Sequence, residues 1–171
     1  LVLQSYATCL GDGMGIGKQD VAMPIVPMFH VNAWNVPYSA ALSGFGLVFP
    51  GAMMGDGATL QNLIEEEGIT YALGVPPVCL GLLNYLRESG KQITSLKRVG
   101  VGGSACPLSI MEEFGNTHGA ITTAGWGMTE MAPLGTFNAL SKAREDYTDE
   151  EYARVRVRAG RPIFGVSMKI V

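Results

Sequence analysis

Five consecutive residues, Trp126-Gly127-Met128-Thr129-Glu130, bring together three groups able to handle a nucleotide. The indole can stack on a base, the Thr129 hydroxyl can meet a phosphate oxygen, and the Glu130 carboxylate is a hard oxygen ligand suited to Mg²⁺. A second segment, Gly102-Gly103-Ser104-Ala105-Cys106-Pro107, offers bare backbone N–H and C=O groups, and its missing side chains let a flat ring come close. A third, Phe29-His30-Val31, supplies an imidazole. Residue type alone leaves plainer roles open: a core histidine bonded to a carbonyl for His30, a core aromatic for Trp34, a carboxylate favoured at a helix start for Glu130.

Other chemistries find less support. Ser104 sits in no Gly-x-Ser-x-Gly elbow and neither His30 nor His118 has a placed acidic partner, so a serine nucleophile is not expected. Lys18 is followed by Gln19, which removes the Lys-Ser or Lys-Thr pair of a phosphate loop. Cys9, Cys79 and Cys106 are widely spaced and lie outside metal-ligand spacing of the two histidines, which speaks against a disulfide framework or a zinc site; Cys106, in a tight turn before proline, reads as structural. The Glu65-Glu66-Glu67 run reads as a solvated helix end.

These segments need elements to bring them together. Val21 to Met28 is short and apolar, as a buried parallel strand would be, and places His30 at its C-terminal end. A helix is expected over Asn35 to Gly46 and a strand at Leu47-Val48-Phe49. Thr59 to Glu67 reads as a helix capped by Thr59 and closed by Gly68, followed by a strand from Ile69 to Leu73. Val75-Pro76-Pro77 opens a helix over Val78 to Ser89. Leu96 to Val101 is a strand running into Gly102, Pro107 to about Thr117 a helix, and Ala120 to Ala124 a strand running into Gly125. This alternation predicts an α/β fold with a mostly parallel sheet, flanking helices and right-handed crossovers. In such sheets the C-terminal strand ends face the ligand crevice, so all three segments should share one edge. Residues 142–158 concentrate charge and read as an exposed helical excursion or a lid-like loop, with Arg154, Arg156 and Arg158 alternating with valines in a way that resembles an edge strand. Val166 to Val171 reads as a terminal strand.

At these residues the chain resembles the adenylate-forming (AMP-binding) enzymes, and within them the medium- and long-chain fatty-acyl-CoA synthetases. Trp126-Gly127-Met128-Thr129-Glu130 is similar to the adenine-binding motif, usually written with Tyr first. Gly102 to Pro107 resembles the family's Gly-Gly-Ser/Ala-x-Pro turn, Gly160-Arg161-Pro162 the segment before its ribose-binding aspartate, and Val26 to Trp34 a stretch of the fatty-acyl enzymes. The resemblance implies a flavodoxin-like subdomain and a two-step ligase of fatty acid metabolism: ATP and a fatty acid give an acyl-adenylate, and coenzyme A then displaces AMP. It implies a nucleotide site of Gly103, Ser104, Ala105, Gly125, Trp126, Gly127, Met128 and Thr129, with catalysis by Thr129, Glu130 and His30. Glu130 would hold Mg²⁺, and His30, Trp34 and Gly103 would form the acyl pocket. The family's Ser/Thr/Gly-rich loop, ribose-binding aspartate, hinge and catalytic lysine are not found, so the chain reads as an internal fragment that does not adenylate without the N- and C-terminal parts of the same enzyme. An adenylating enzyme for an aryl or amino acid and a non-catalytic nucleotide-binding domain are the alternatives.

The composition fits this reading. In 171 residues, 12 basic against 15 acidic side chains give a net charge of −3, ill suited to a nucleic-acid partner. Leu1-Val2-Leu3-Gln4 carries neither an initiator methionine nor a secretion signal and reads as a cut through a longer chain. Val21 to Gly55 has no charged residue, but its prolines and asparagines argue against a transmembrane segment. The unpaired cysteines suit a reducing, cytoplasmic location. Charged residues make up 16%, against roughly a quarter in ordinary soluble proteins, so part of the surface is expected to meet a further part of the enzyme or a second copy.

Overall fold

The computed structural model describes residues 1–11, 13–140 and 143–169. The elements are α1 (Val2–Cys9), β1 (Val21–Pro24), α2 (Val31–Trp34), α3 (Val36–Ser43), β2 (Gly46–Leu47), α4 (Gly57–Glu66), β3 (Tyr71–Gly74) and α5 (Pro76–Ser89). They continue with β4 (Arg98–Val101), α6 (Leu108–His118), β5 (Ile121–Gly127), β6 (Leu134–Phe137), α7 (Asp149–Arg156) and β7 (Arg161–Pro162). Short 3₁₀ turns occupy Gly51–Met53, Thr129–Met131 and Arg144–Asp146.

The seven strands form one sheet in the order β2-β1-β3-β4-β5-β6-β7. The first five are mutually parallel, and β6 and β7 add antiparallel. The order reverses direction at β1: the chain steps to β2 on one side, then to β3, β4 and β5 on the other. The crevice outside the C-terminal ends of β1 and β3 is therefore the topological switch point, where open α/β sheets bind ligands.

Packing follows the apolar periodicity. Leu60 and Ile64 of α4, Leu82, Leu83 and Leu86 of α5, and Met111 and Phe114 of α6 bury against Met23, Ala72 and Val99 of the sheet. Each such side chain contributes about 1.5–3 kcal/mol of burial. A smaller cluster of Ile16, Val36, Phe45, Tyr71 and Leu73 forms separately from this one, and Ala7, Leu134, Phe137 and Ile163 make a third. The Gln4 amide donates to the Leu134 carbonyl and ties α1 to β6.

Several expected bounds shift for local reasons. β1 ends at Pro24, and the expected 35–46 helix begins after a separate one-turn α2. β2 is Gly46–Leu47 rather than 47–49. α4 is capped by Asp56, whose carboxylate accepts from the Thr59 N–H at 2.8 Å; Thr59 lies inside the helix, and its hydroxyl bonds the same oxygen. Gly68 does take the left-handed conformation expected after that helix.

Glu65 is not a free helix-end carboxylate. It accepts from the Thr94 hydroxyl at 2.7 Å and the Ser95 N–H at 3.2 Å, and also bonds the Thr94 N–H, which joins α4 to the turn before β4. β5 runs on past Ala124 to Gly127, and β6 was not anticipated at all. The alternating Arg154 to Arg158 stretch is not an edge strand. It lies largely in α7, whose capping box of Thr148 and Glu151, acidic first turn and basic last turn all favour a helix. Arg156 points inward rather than out, donating to the Met111 carbonyl at 2.9 Å. No strand forms over 166–169; the rest of that expected strand, and residue 142 of the charged excursion, lie outside the described residues.

Candidate functional site

β5 divides its partners. Ile121 to Ala124 pair with β4, whereas Gly125 to Gly127 pair with β6, with a register shift between Trp126 and Gly127. The second half of β5 thus leaves β4, and a cleft opens between it and the Gly102-Gly103 turn. A bulge at such a place re-aims the side chain it carries, here Trp126. The indole lies against Gly135 of β6, where a β-carbon would sit 2.9 Å from the ring, so only glycine gives the ring that seat.

The rim of this cleft is formed by His30, Gly103, Trp126 and Gly127, all exposed. Its interior is buried and apolar: Leu73 and Gly74 at the end of β3, Gly100 and Val101 of β4, and Pro133, Leu134 and Phe137 beside β6. Met14, Val31, Asn32, Gly102 and Gly125 complete the wall. Water-molecule centres have about 50 Å³ of room in it. The sheet-edge expectation therefore holds for His30, Gly103, Gly125, Trp126 and Gly127, which meet in one hollow at the switch point. Ser104, Ala105, Met128, Thr129 and Glu130 are exposed beside these residues and are not part of the wall. Thr129 and Glu130 occupy the 3₁₀ turn that follows β5.

His30 caps α2: its Nδ1 accepts the Asn32 N–H at 3.1 Å. A neutral imidazole accepting at Nδ1 carries its proton on Nε2, which is then a donor at the rim. Asn32 lies over Gly102, where a β-carbon would come within 3.0 Å of the amide oxygen.

Of the residues expected to form the acyl pocket, His30 and Gly103 line this cleft, whereas Trp34 lies at the far end of α2 and lines a separate open hollow. Met28, Pro37, Tyr38, Leu1 and Ala132 form the rest of that hollow, with about 460 Å³ for water-molecule centres.

Residues that the sequence reading did not single out are Met14, Asn32, Gly74, Gly100, Pro133 and Phe137. The glycines inside β3 and β4 were a usable signal, since glycine within a strand marks a place where something approaches the backbone.

Among the described residues no group of three or more His, Cys, Asp or Glu could hold a metal by itself. Glu130 has an exposed carboxylate, and no ion pair among the described residues engages it. One free carboxylate fits Mg²⁺ that takes its other ligands from phosphate oxygens and water, the usual arrangement for that ion.

The cysteines are chemically quiet. Burial pushes the Cys79 thiol up to about 12 and the Cys106 thiol to about 11, the latter partly offset by Arg156. Cys106 beside the Gly102-Gly103 turn is thus no nucleophile, as its structural reading implied. At the opposite end of the strands burial raises the Asp20 carboxyl, but the Gly17 N–H, the Thr70 hydroxyl and the Arg98 guanidinium outweigh this and hold it below the ordinary carboxylate range.

A mostly parallel sheet with a glycine-lined cleft at its switch point, an aromatic face on the rim and a carboxylate beside it defines an α/β subdomain with a ligand crevice at its strand ends. Comparison with known proteins gives the family. The model of the AMP-binding enzymes matches residues 2–171, and the chain belongs to that family. It is 46% identical over 170 residues to the medium-chain-fatty-acid–CoA ligase of Ectopseudomonas oleovorans and 45% identical over 170 residues to the 3-methylmercaptopropionyl-CoA ligase of Ruegeria lacuscaerulensis. Each match covers 99% of this chain and 31% of the relative, so the chain spans about a third of their length. Among solved structures, a long-chain-fatty-acid-CoA ligase (FadD1) of Archaeoglobus fulgidus superposes with a TM-score of 0.76 at 21% identity, covering 93% of this chain and 31% of that one. No helix of the described residues is long and apolar enough to cross a membrane.

Proposed function

We propose that the chain is the central part of an ATP-dependent ligase that joins an aliphatic carboxylic acid to coenzyme A. Supporting this is the meeting of His30, the Gly102-Gly103 turn and Trp126 in one apolar cleft, in a chain whose relatives are named as CoA ligases of aliphatic acids. In the first half-reaction a carboxylate oxygen attacks the α-phosphorus of ATP, the bond to pyrophosphate breaks, and an acyl-adenylate forms. In the second, the thiolate of coenzyme A attacks the acyl carbon and AMP leaves. Such chemistry depends on positioning and charge neutralisation more than on covalent help from the protein.

Trp126 stacks on the adenine, and the backbone from Gly103 to Ala105 and from Gly125 to Met128 lines the nucleotide. Thr129 bonds phosphate oxygens, and Glu130 would hold Mg²⁺, which when bound would neutralise charge on the phosphates. His30 donates from Nε2 to the substrate carboxylate at the cleft mouth. The acid's tail enters the cleft, whose wall carries no acidic side chain to pair with an ammonium group; this favours an aliphatic acid over an amino acid. We also infer that the ligase works in the reducing cytoplasm, where the three free thiols persist. The exposed apolar residues of α1 and α3, among them Leu3, Tyr6 and Tyr38, support contact with a further part of the polypeptide or a second copy.

ATP–pyrophosphate exchange with octanoate tests the reading in the longer polypeptide that carries this chain. Exchange is expected, with a loss of a hundredfold or so in Glu130→Gln without a change in thermal stability. No exchange with any acid, or full activity in Glu130→Gln, would contradict it and favour a non-catalytic nucleotide-binding domain.

A further inference from the structure

We propose that Met14 sets the inner limit of the acyl cleft and that Arg98 is the positioning residue that fixes it there; this rests on the ligase reading above. The cleft is graded from an exposed rim at His30 and Trp126 to a buried interior at Leu73, Gly100 and Phe137. No charged side chain lines it, so a carboxylate stays at the rim and its hydrocarbon tail points inward. Gly100 and Gly102 lie two apart on β4 and its continuation and face the same side of the sheet, giving a floor without side chains. That floor cannot deepen: a β-carbon at Gly100 would already sit 2.9 Å from Leu73 and 3.1 Å from the Tyr71 hydroxyl.

The wall that can vary is Met14. Its side chain packs against both the Tyr71–Leu73 cluster and the Leu134–Phe137 cluster, and so bridges the inner end. Its backbone is held on both sides, the N–H by the Thr8 carbonyl at 3.0 Å and the C=O by Arg98 Nη1 at 2.9 Å. Arg98 also reaches the Gly15 carbonyl at 3.2 Å. The guanidinium is itself fixed, paired with Asp20 at 2.8 Å and centred 4.6 Å over the Tyr71 ring. A rigid root with a flexible thioether makes a wall of defined place and adaptable shape. Arg98 touches neither the cleft nor its occupant and acts only through this loop.

The test uses the longer ligase polypeptide and compares kcat/KM for decanoate with that for butanoate. Met14→Ala is expected to raise this ratio roughly tenfold and Met14→Trp to lower it by a similar factor, the discrimination that a methylene or two against an apolar wall provides. Arg98→Lys keeps the charge opposite Asp20 but loses the fork in which Nη2 holds Asp20 while Nη1 bonds the Met14 and Gly15 carbonyls. It is expected to move the ratio in the direction of Met14→Ala, through KM rather than kcat. Should Met14→Trp fail to fold, Met14→Ala and Arg98→Lys still decide the matter. Equal changes for both acids in these variants would overturn the proposal while leaving the ligase reading intact; absence of activity with every acid in the unaltered enzyme would overturn both.

Discussion

The two ends of the central strands are built from opposite materials. Where β3 and β4 begin, the Arg98 guanidinium, the Asp20 carboxylate, the Thr70 hydroxyl and the Tyr71 ring form a connected polar clasp. Where the same strands and β5 end, side chains give way to Gly74, Gly102, Gly103, Gly125 and Gly127. Hydrogen bonds and charge fix the register at the first end, and this lets the second be stripped down to backbone that a ligand can approach. The difference separates what holds the sheet from what it presents, and it can be tested at both ends.

The largest effect is expected at the bare end. A β-carbon on Gly127 would lie 2.0 Å from the Pro133 carbonyl oxygen, a backbone atom that cannot swing aside. Gly127→Ala should therefore cost about 3 kcal/mol or more in urea unfolding. A loss below about 1 kcal/mol would mean that this end tolerates side chains and that the contrast is wrong. At the clasped end Arg98→Ala removes bonds to two carbonyls and leaves Asp20 without its cation. A loss of about 2 kcal/mol is expected by the same measurement.

The clasp also predicts a pH dependence. Asp20 is held below its ordinary value in the folded chain, so its contribution is fully present above the unfolded carboxylate pKa, about 4, and is lost as pH falls through the lower folded value. Thermal unfolding of wild type and Asp20→Asn should converge towards acid pH; a constant gap between them would remove Asp20 from the account. The smallest effect serves as a control away from both ends. Gly115 in α6 has open space around its missing β-carbon, and Gly115→Ala should add about 0.5–1 kcal/mol through helix propensity.

Much of the bare end was legible in the sequence because glycine turns directly follow apolar strands, and a parallel sheet gathers its strand ends on one edge. Met14 was not legible: its loop precedes β1, and it reaches the cleft through contacts distant in sequence, the bond from Arg98, 84 residues away, and packing on the Tyr71–Leu73 and Leu134–Phe137 clusters. The Arg154 to Arg158 alternation mimics an edge strand, but the capping box of Thr148 and Glu151 and the acidic first turn decide for a helix. β6 escaped because Leu134-Gly135-Thr136-Phe137 shows no polar alternation, being buried throughout. Trp34 was grouped with His30 through the family resemblance, yet a single turn of helix is enough to direct the two into different hollows.

That last separation offers the most direct test of the site, since Trp34 and Trp126 are the chain's two tryptophans. In Trp34→Phe the remaining indole reports on the cleft, and in Trp126→Phe it reports on the open hollow. Titration with an acyl-adenylate analogue is expected to change the emission of Trp126 strongly and to leave that of Trp34 nearly constant. A saturable response from Trp34 alone would place the nucleotide outside the switch-point cleft and contradict the account.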